Sequence, residues 1–297
     1  MDKIKMYNNS NDEKVCSIMN NEITIVLLAK SDFSSFDNEY SLEIERKFPH
    51  NNSIHTYFIS PIQFDFINIA ELGELLTRQW SGIILTSKRC IDALLMSIER
   101  IPVLALDSLR KLSFFTVGTI TRSYLLEKLS IDSRGYHTGN SEDLARFIVE
   151  QSLKTFDPKL PLLYPCSQIR TDPITKILSE NNISIREIYC YNTVVNENLD
   201  NDFQKFRTFL STTFDKHLNR IRLLVVFFSP SGVDNLYDFI RKYFIQNTDD
   251  IHLRYIAFGR KTAQRIESKN LIVWFTVTKP TAKSLAEDLY QNIINDK

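Results

Sequence analysis

The chain has 297 residues, 43% of them hydrophobic and 24% charged, and its 36 basic and 36 acidic side chains balance to zero formal charge. That length admits one large domain or two ordinary ones with a core that needs no disulfide or metal staple, and the charge balance disfavours a nucleic-acid partner. The 4 cysteines (Cys16, Cys90, Cys166, Cys190) show no CxxC spacing and the 5 histidines no HxH or HExxH pair, so neither a disulfide framework nor a metal site is expected.

Residues 1–21 are polar and Asn-rich, lack an apolar stretch and contain acids but no Arg. They read as a flexible tail rather than a signal peptide or presequence, and the protein as cytoplasmic. No apolar run reaches the length of a bilayer span, so no membrane association is expected.

Strands are predicted over 23–29, 54–59, 82–85, 114–117, 160–164, 185–194, 223–228, 255–258 and 271–275. Helical periodicity falls between them, as over 91–98, 122–129, 144–153, 234–243 and 282–293. Short β-branched runs alternating with amphipathic helices predict an α/β fold with parallel sheets flanked by helices.

An internal repeat divides the chain. Ser87 in "GIILTSKRCIDALL" aligns with Ser229 in "VVFFSPSGVDNLY". Gly118 follows the first serine by 31 residues and Gly259 the second by 30. Both glycines open a G-x-x-T frame that ends in Thr121 or Thr262, and a Leu-Ala pair follows each glycine by 26 residues: Leu144-Ala145 and Leu285-Ala286. A shared α/β rhythm explains regular spacing but not the recurrence of Ser, Gly and Thr in register. Two similar lobes follow, with lobe 1 discontinuous (22–57 plus 195–297), lobe 2 at 62–185, linker strands at 58–61 and 186–194, and a cleft between the lobes.

Ligands in open α/β sheets bind beyond the carboxyl ends of the strands, at helix N-termini. Those positions hold Thr86 and Ser87, Gly118 and Thr119, Pro165 and Cys166, Ser229 and Ser231, and Gly259. Hydroxyls beside bare backbone N–H groups suit anions such as carboxylates. Capping alone accounts for any one of them, as Ser229 followed by Pro230 illustrates; four on two matched lobes point to a shared ligand site. Lys88, Arg89, Arg170, Arg254, Arg260 and Lys261 lie near the expected strand ends, where they read as surface charges singly and as a lining for a polyanion together. No GxGxxG, GxxxxGK[ST] or GxSxG motif occurs, and 7 glycines are too few for phosphate loops in both lobes.

At these same positions the sequence resembles uroporphyrinogen-III synthases. The likeness runs through "LTSKRCIDAL", "VGTIT", "HTGNSEDLARFI", "LLYPCSQIR", "REIYCYNTV", "FFSPSGV", "AFGRKTAQRI" and "TKPTAKSLAEDL", in order and spacing, over residues 23–293. It implies two lobes joined by a two-stranded linker and a lyase of haem and tetrapyrrole biosynthesis that needs no cofactor. Its substrate would be hydroxymethylbilane, whose eight carboxylates suit a site of hydroxyls, N–H groups and scattered bases. It also implies a transient handover from the preceding pathway enzyme. By position, the substrate-binding residues would be Thr86, Ser87, Arg89, Thr121, Arg170, Ser229, Ser231, Arg254 and Thr262, with Tyr191 as proton donor to the leaving hydroxyl. The chain departs from the family where Arg260-Lys261-Thr262 replaces a common Pro-Thr-Thr, where Lys88 replaces a common Pro, and where Arg170 lacks a neighbouring base. The residues leave open two other readings, a non-enzymatic two-lobed small-anion sensor and a small phosphotransferase, the second weakened by the missing phosphate loop.

Overall fold

The computed structural model describes residues 22–30, 38–48, 54–155, 157, 159–169, 173–213, 220–245 and 251–296. The expected tail over 1–21 and the predicted site residue Arg170 lie outside them.

The elements begin with β1 (Glu22–Ala29), α1 (Asn38–Lys47), β2 (Ile54–Ile59), β3 (Ile62–Phe66), α2 (Ile69–Leu76), β4 (Gly82–Leu85) and α3 (Lys88–Ile98). They continue with α4 (Val103–Arg110), β5 (Ser113–Thr116), α5 (Gly118–Leu129), α6 (Ser141–Thr155), β6 (Leu162–Ser167), α7 (Ile174–Glu180) and β7 (Ile185–Val195). The last are α8 (Leu199–Thr213), β8 (Arg220–Phe227), α9 (Pro230–Ile240), β9 (Ile251–Ala257), α10 (Arg260–Glu267), β10 (Val273–Thr276) and α11 (Ala282–Asn295).

The chain forms two compact units, Met1–Gln63 with Val195–Lys297, and Phe64–Val194. One sheet runs β10-β9-β8-β1-β2 and the other β3-β7-β6-β4-β5. In the first, β1 pairs in parallel with β2 and β8, and β9 with β8 and β10. In the second, β4 pairs in parallel with β5 and β6, and β6 with β7.

Parallel strands covered on both faces read as unbroken apolar runs. Residues 25–29 of β1 and 221–227 of β8 are all buried. Alternate side chains then serve opposite faces. Ile25, Leu27 and Val225 join Phe203, Phe206 and Leu210 of α8, with Val233 and Leu236 of α9. Val26, Leu28 and Leu224 join Ile44 of α1 and Leu285, Leu289 and Ile293 of α11. The second sheet repeats this layering. Leu85 and Leu163 pack with Leu72 of α2, Ile91 and Leu94 of α3 and Leu125 of α5. Ile84 and Tyr164 pack with Leu144 and Ile148 of α6 and Leu178 of α7.

Three elements differ from the sequence expectation. Strand β3, "IQFDF", was not predicted; it lies at a sheet edge with no fully buried residue, so its apolar signal is weak. Strand β8, expected over 223–228, begins three residues earlier at Arg220 and ends at Phe227. Strand β6 extends to Ser167, so Pro165 and Cys166 are buried within it rather than beyond its end.

Helix α8 is anchored by Phe203, fully buried and stacked on Phe239 and Tyr243 at centroid distances of 5.6 and 5.7 Å. Removing a buried aromatic ring leaves a cavity that costs about 3–5 kcal/mol. Phe203→Ala is therefore expected to lower the urea unfolding midpoint sharply, whereas Leu42→Ala, at a position 48% exposed, should change stability by about 0.5 kcal/mol or less. Equal midpoints for the two variants would remove α8 from the core.

Candidate functional site

Two strand ends carry the same construction. After β4, Ser87 adopts an extended backbone (φ −153°, ψ 162°), and its hydroxyl accepts from the Cys90 amide at 3.4 Å, capping α3. After β8, Ser229 adopts φ −153°, ψ 158°, and its hydroxyl accepts from the Gly232 amide at 3.1 Å, capping α9 with Pro230 at the first helical position. Extended backbone and a short side-chain oxygen are what an N-cap requires. Both helices thereby direct their remaining first-turn N–H groups, and their positive dipole ends, to the carboxyl edge of a sheet.

The glycines repeat as closely. Gly118 at the start of α5 has φ 74° and Gly259 before α10 has φ 107°. At both positions a β-carbon would meet nothing within 4 Å, so the positive φ rather than crowding calls for glycine. Thr121 and Thr262, one turn later, are 7% and 3% exposed. The last landmark also recurs: Asn140 Oδ1 accepts from the Asp143 amide at 2.9 Å and Thr281 Oγ1 from the Ser284 amide at 3.2 Å. The Leu144-Ala145 and Leu285-Ala286 pairs that follow are buried.

The second unit adds a titratable group. Tyr191, half-buried on β7, places its hydroxyl 3.1 Å from Ser87 Oγ. Its ring meets Phe64 edge-on at 6.1 Å, and the Arg89 guanidinium lies over Phe64 at 4.3 Å. Arg89 also pairs with Asp92 at 2.7 Å, and Asp92 accepts from the Tyr124 hydroxyl at 2.6 Å. Burial foremost, with Cys90 adding to it, pushes the Tyr191 phenol up to about 12, against the hydrogen bond with Ser87. The phenol is thus a proton carrier at neutral pH.

Thr86, Ser87, Arg89 and Tyr191 therefore share one locality, with Thr86 half-buried between strand and cap. Ser229 and the exposed Ser231 bond to each other at 3.1 Å in the first unit. Arg254 stands apart. It sits in the middle of β9 opposite Leu224, 2.9 Å from Asp296 and over Trp274 at 4.9 Å. Phe64, Cys90, Asp92 and Tyr124 were not among the predicted site residues. The Arg89–Asp92 spacing of three on a helix was the one legible signal for them. Among the described residues there is no cluster of three or more His, Cys, Asp or Glu suited to a metal ion, and no helix long and apolar enough to cross a membrane.

The uroporphyrinogen-III synthase HemD family model matches residues 51–287. The uroporphyrinogen-III synthase of Saccharomyces cerevisiae is 27% identical over 246 residues, which is 80% of this chain and 84% of that protein. The crystal structure of the uroporphyrinogen-III synthetase of Helicobacter pylori aligns with a TM-score of 0.52 at 14% identity, covering 91% of this chain and 100% of that one. That likeness concerns the fold.

With its phenol held near 12, Tyr191 contributes no phenolate until the pH nears about 11. Native protein and Tyr191→Phe should therefore give superimposable phenolate absorbance titrations up to that pH and diverge above it. A deficit of one phenolate in the variant already at about pH 10 would show that burial does not hold the proton on Tyr191.

Proposed function

Because the chain belongs to the uroporphyrinogen-III synthase family, an enzyme family of haem biosynthesis, we propose that it is a lyase that closes hydroxymethylbilane into uroporphyrinogen III. The reaction eliminates water and inverts ring D. The observation that carries this reading is the Tyr191 hydroxyl, protonated at neutral pH and 3.1 Å from a serine at a helix N-terminus.

Tyr191 protonates the hydroxymethyl group as it leaves, and the pyrrole nitrogen's electrons drive water out to give an azafulvenium cation. Ring D attacks through its already substituted carbon and forms a spiro intermediate. Fragmentation and reclosure leave ring D inverted, and a proton lost as the last pyrrole regains aromaticity balances the one Tyr191 supplied. The substrate's carboxylates are bound by the hydroxyls of Thr86, Ser87, Ser229, Ser231, Thr121 and Thr262, by Arg89 and Arg170, and by the first-turn N–H groups of α3 and α9. The charge of Arg254 is already engaged by Asp296.

Spontaneous closure gives the uninverted type I isomer, so the enzyme's task is selection. Favouring type III about 100-fold needs roughly 2.7 kcal/mol of differential stabilisation. Restraint of a bound chain supplies that margin, since orientation effects reach about 7–11 kcal/mol. The same spontaneous loss favours a direct cytoplasmic handover from the enzyme that makes the substrate. A small-anion sensor would use the same hydroxyls and release its ligand unchanged, but family membership favours the synthase. Purified protein mixed with fresh hydroxymethylbilane should, after oxidation, yield mainly the type III porphyrin; type I alone would overturn the assignment.

Restraint spread over many hydrogen bonds predicts graded variants, each bond contributing about 0.5–1.5 kcal/mol net. Thr86→Ala, Ser229→Ala and Thr262→Ala should each slow type III formation about tenfold or less. Tyr191→Phe should cost more while leaving the melting temperature near that of the native chain. Full activity in Tyr191→Phe beside a dead, folded Ser229→Ala would transfer the chemistry to Ser229.

A further inference from the structure

Ser87 is a junction. Its hydroxyl has one proton and two lone pairs. One lone pair takes the Cys90 amide at 3.4 Å in the cap of α3. Two more neighbours remain, Tyr191 Oη at 3.1 Å and Cys90 Sγ at 3.3 Å. One of them donates to Ser87 and the other accepts its proton.

The surrounding thiols bear on which. Cys90, Cys166 and Cys190 are all buried and none is in a disulfide. Cys190 donates to the Cys166 carbonyl at 3.4 Å and Cys166 to the Ile188 carbonyl at 3.6 Å. A carbonyl only accepts, so the Cys166 proton is committed, and the Cys190 proton lies between the Cys166 carbonyl and the Cys90 sulfur, to both of which Cys190 donates. The Cys90 proton is left to face Ser87.

We propose that Cys90 is a positioning residue that sets the direction of this chain: its thiol donates to Ser87, Ser87 donates to Tyr191, and the Tyr191 O–H is left to face the substrate. This rests on Tyr191 as the acid. Were Cys90 to lose its proton, the chain would reverse. The thiolate would accept from Ser87, Ser87 would accept from Tyr191, and the acid's proton would turn inward.

The titratable groups beside Cys90 are Cys190 and Tyr191 on β7, both of which Cys166 on β6 influences in turn; on its own helix Arg89 is paired with Asp92. The hydrogen bond with Cys190, then those from Ser87 and the backbone of Thr86 and Ser87, pulls Cys90 down to about 7 against burial. The Cys190 thiol is pushed up by the same pairing and by burial. A thiol stabilised as thiolate at a helix start follows the general behaviour of cysteine.

The test measures type III formation from hydroxymethylbilane against pH for native protein, Cys90→Ala and Cys90→Ser, with melting temperatures. Native kcat should fall as pH rises through about 7, where Cys90 loses its proton, with KM within about twofold. Cys90→Ser keeps a donor that does not titrate there, so it should retain the low-pH kcat and lose the decline. Cys90→Ala should lower kcat about three- to tenfold at low pH. Native-like profiles in both variants would overturn the proposal, and so would a decline that persists in a folded Cys90→Ser. A readout apart from turnover is the 13Cζ resonance of Tyr191, assigned by its absence from Tyr191→Phe. It should shift in Cys90→Ala and return in Cys90→Ser; an unmoved resonance means Cys90 does not direct the chain. Full activity in Tyr191→Phe would instead sink the acid assignment while that resonance still reports on the hydrogen bond.

Discussion

Parallel pairing is the constraint on which the site depends. Neighbouring strands of a parallel ladder all finish at one edge, and the connection that follows must cover the sheet with a helix. Helix N-termini therefore gather at that edge with their N–H groups bare. In this chain β4 and β8 each end two residues before a serine that caps the next helix. The hydroxyls and amides proposed to hold substrate carboxylates are a by-product of that topology, obtained without a glycine-rich loop. Glycine is needed only where Gly118 and Gly259 turn the chain through positive φ into α5 and α10.

The two units share the scaffold and diverge in chemistry. The succession β8-α9-β9-α10 matches β4-α3-β5-α5, apart from α4 inserted between α3 and β5, and α11 matches α6. Where the first unit has β10 beside β9, the second has a single parallel bridge from Phe115 to Arg134 beside β5. The two serine caps agree in backbone angles to within a few degrees. Yet Ser229 has Ser231 as its hydroxyl neighbour, whereas Ser87 has Tyr191 and Cys90. Matched backbone with unmatched neighbours is what separates the helix start proposed only to bind an anion from the one proposed also to govern a proton.

What could be read in advance follows the same division. The α/β class and the Ser, Gly and Thr landmarks were legible because they are local: buried parallel strands are continuous apolar runs, caps are short polar residues, and positive φ selects glycine. Tyr191 was found through resemblance, since nothing local marks a tyrosine on β7. The partners that define its state were not legible. Ser87, which also contacts Cys90, meets Tyr191 across a sequence separation of 104, and no spacing rule reaches that far. Arg254 was placed near a strand end because the sequence pattern began that strand at 255. The pairing of β8 with β9 begins at Ile251, which puts Arg254 mid-strand and beside Asp296. Strand β3 was missed for the opposite reason: an edge strand need not be apolar enough to be noticed.

Burial joins stability to chemistry at Tyr191. A phenol on the surface would ionise near 10 and exchange its proton with water readily. Placing it beside Phe64 and the thiols at Cys90 and Cys190 withdraws it from solvent and raises that value. The same surroundings make the donor count at Ser87 consequential, because a half-buried hydroxyl has fewer alternative partners than an exposed one and an unmade hydrogen bond costs up to about 1–3 kcal/mol. That is comparable with the roughly 2.7 kcal/mol that a 100-fold preference between ring isomers demands. The direction of one hydrogen-bond chain in the second unit is therefore on the same energy scale as the selectivity proposed for this protein. It follows that apolar residues around Tyr191, which touch no substrate atom in the proposed mechanism, act on its outcome through the phenol they keep dry.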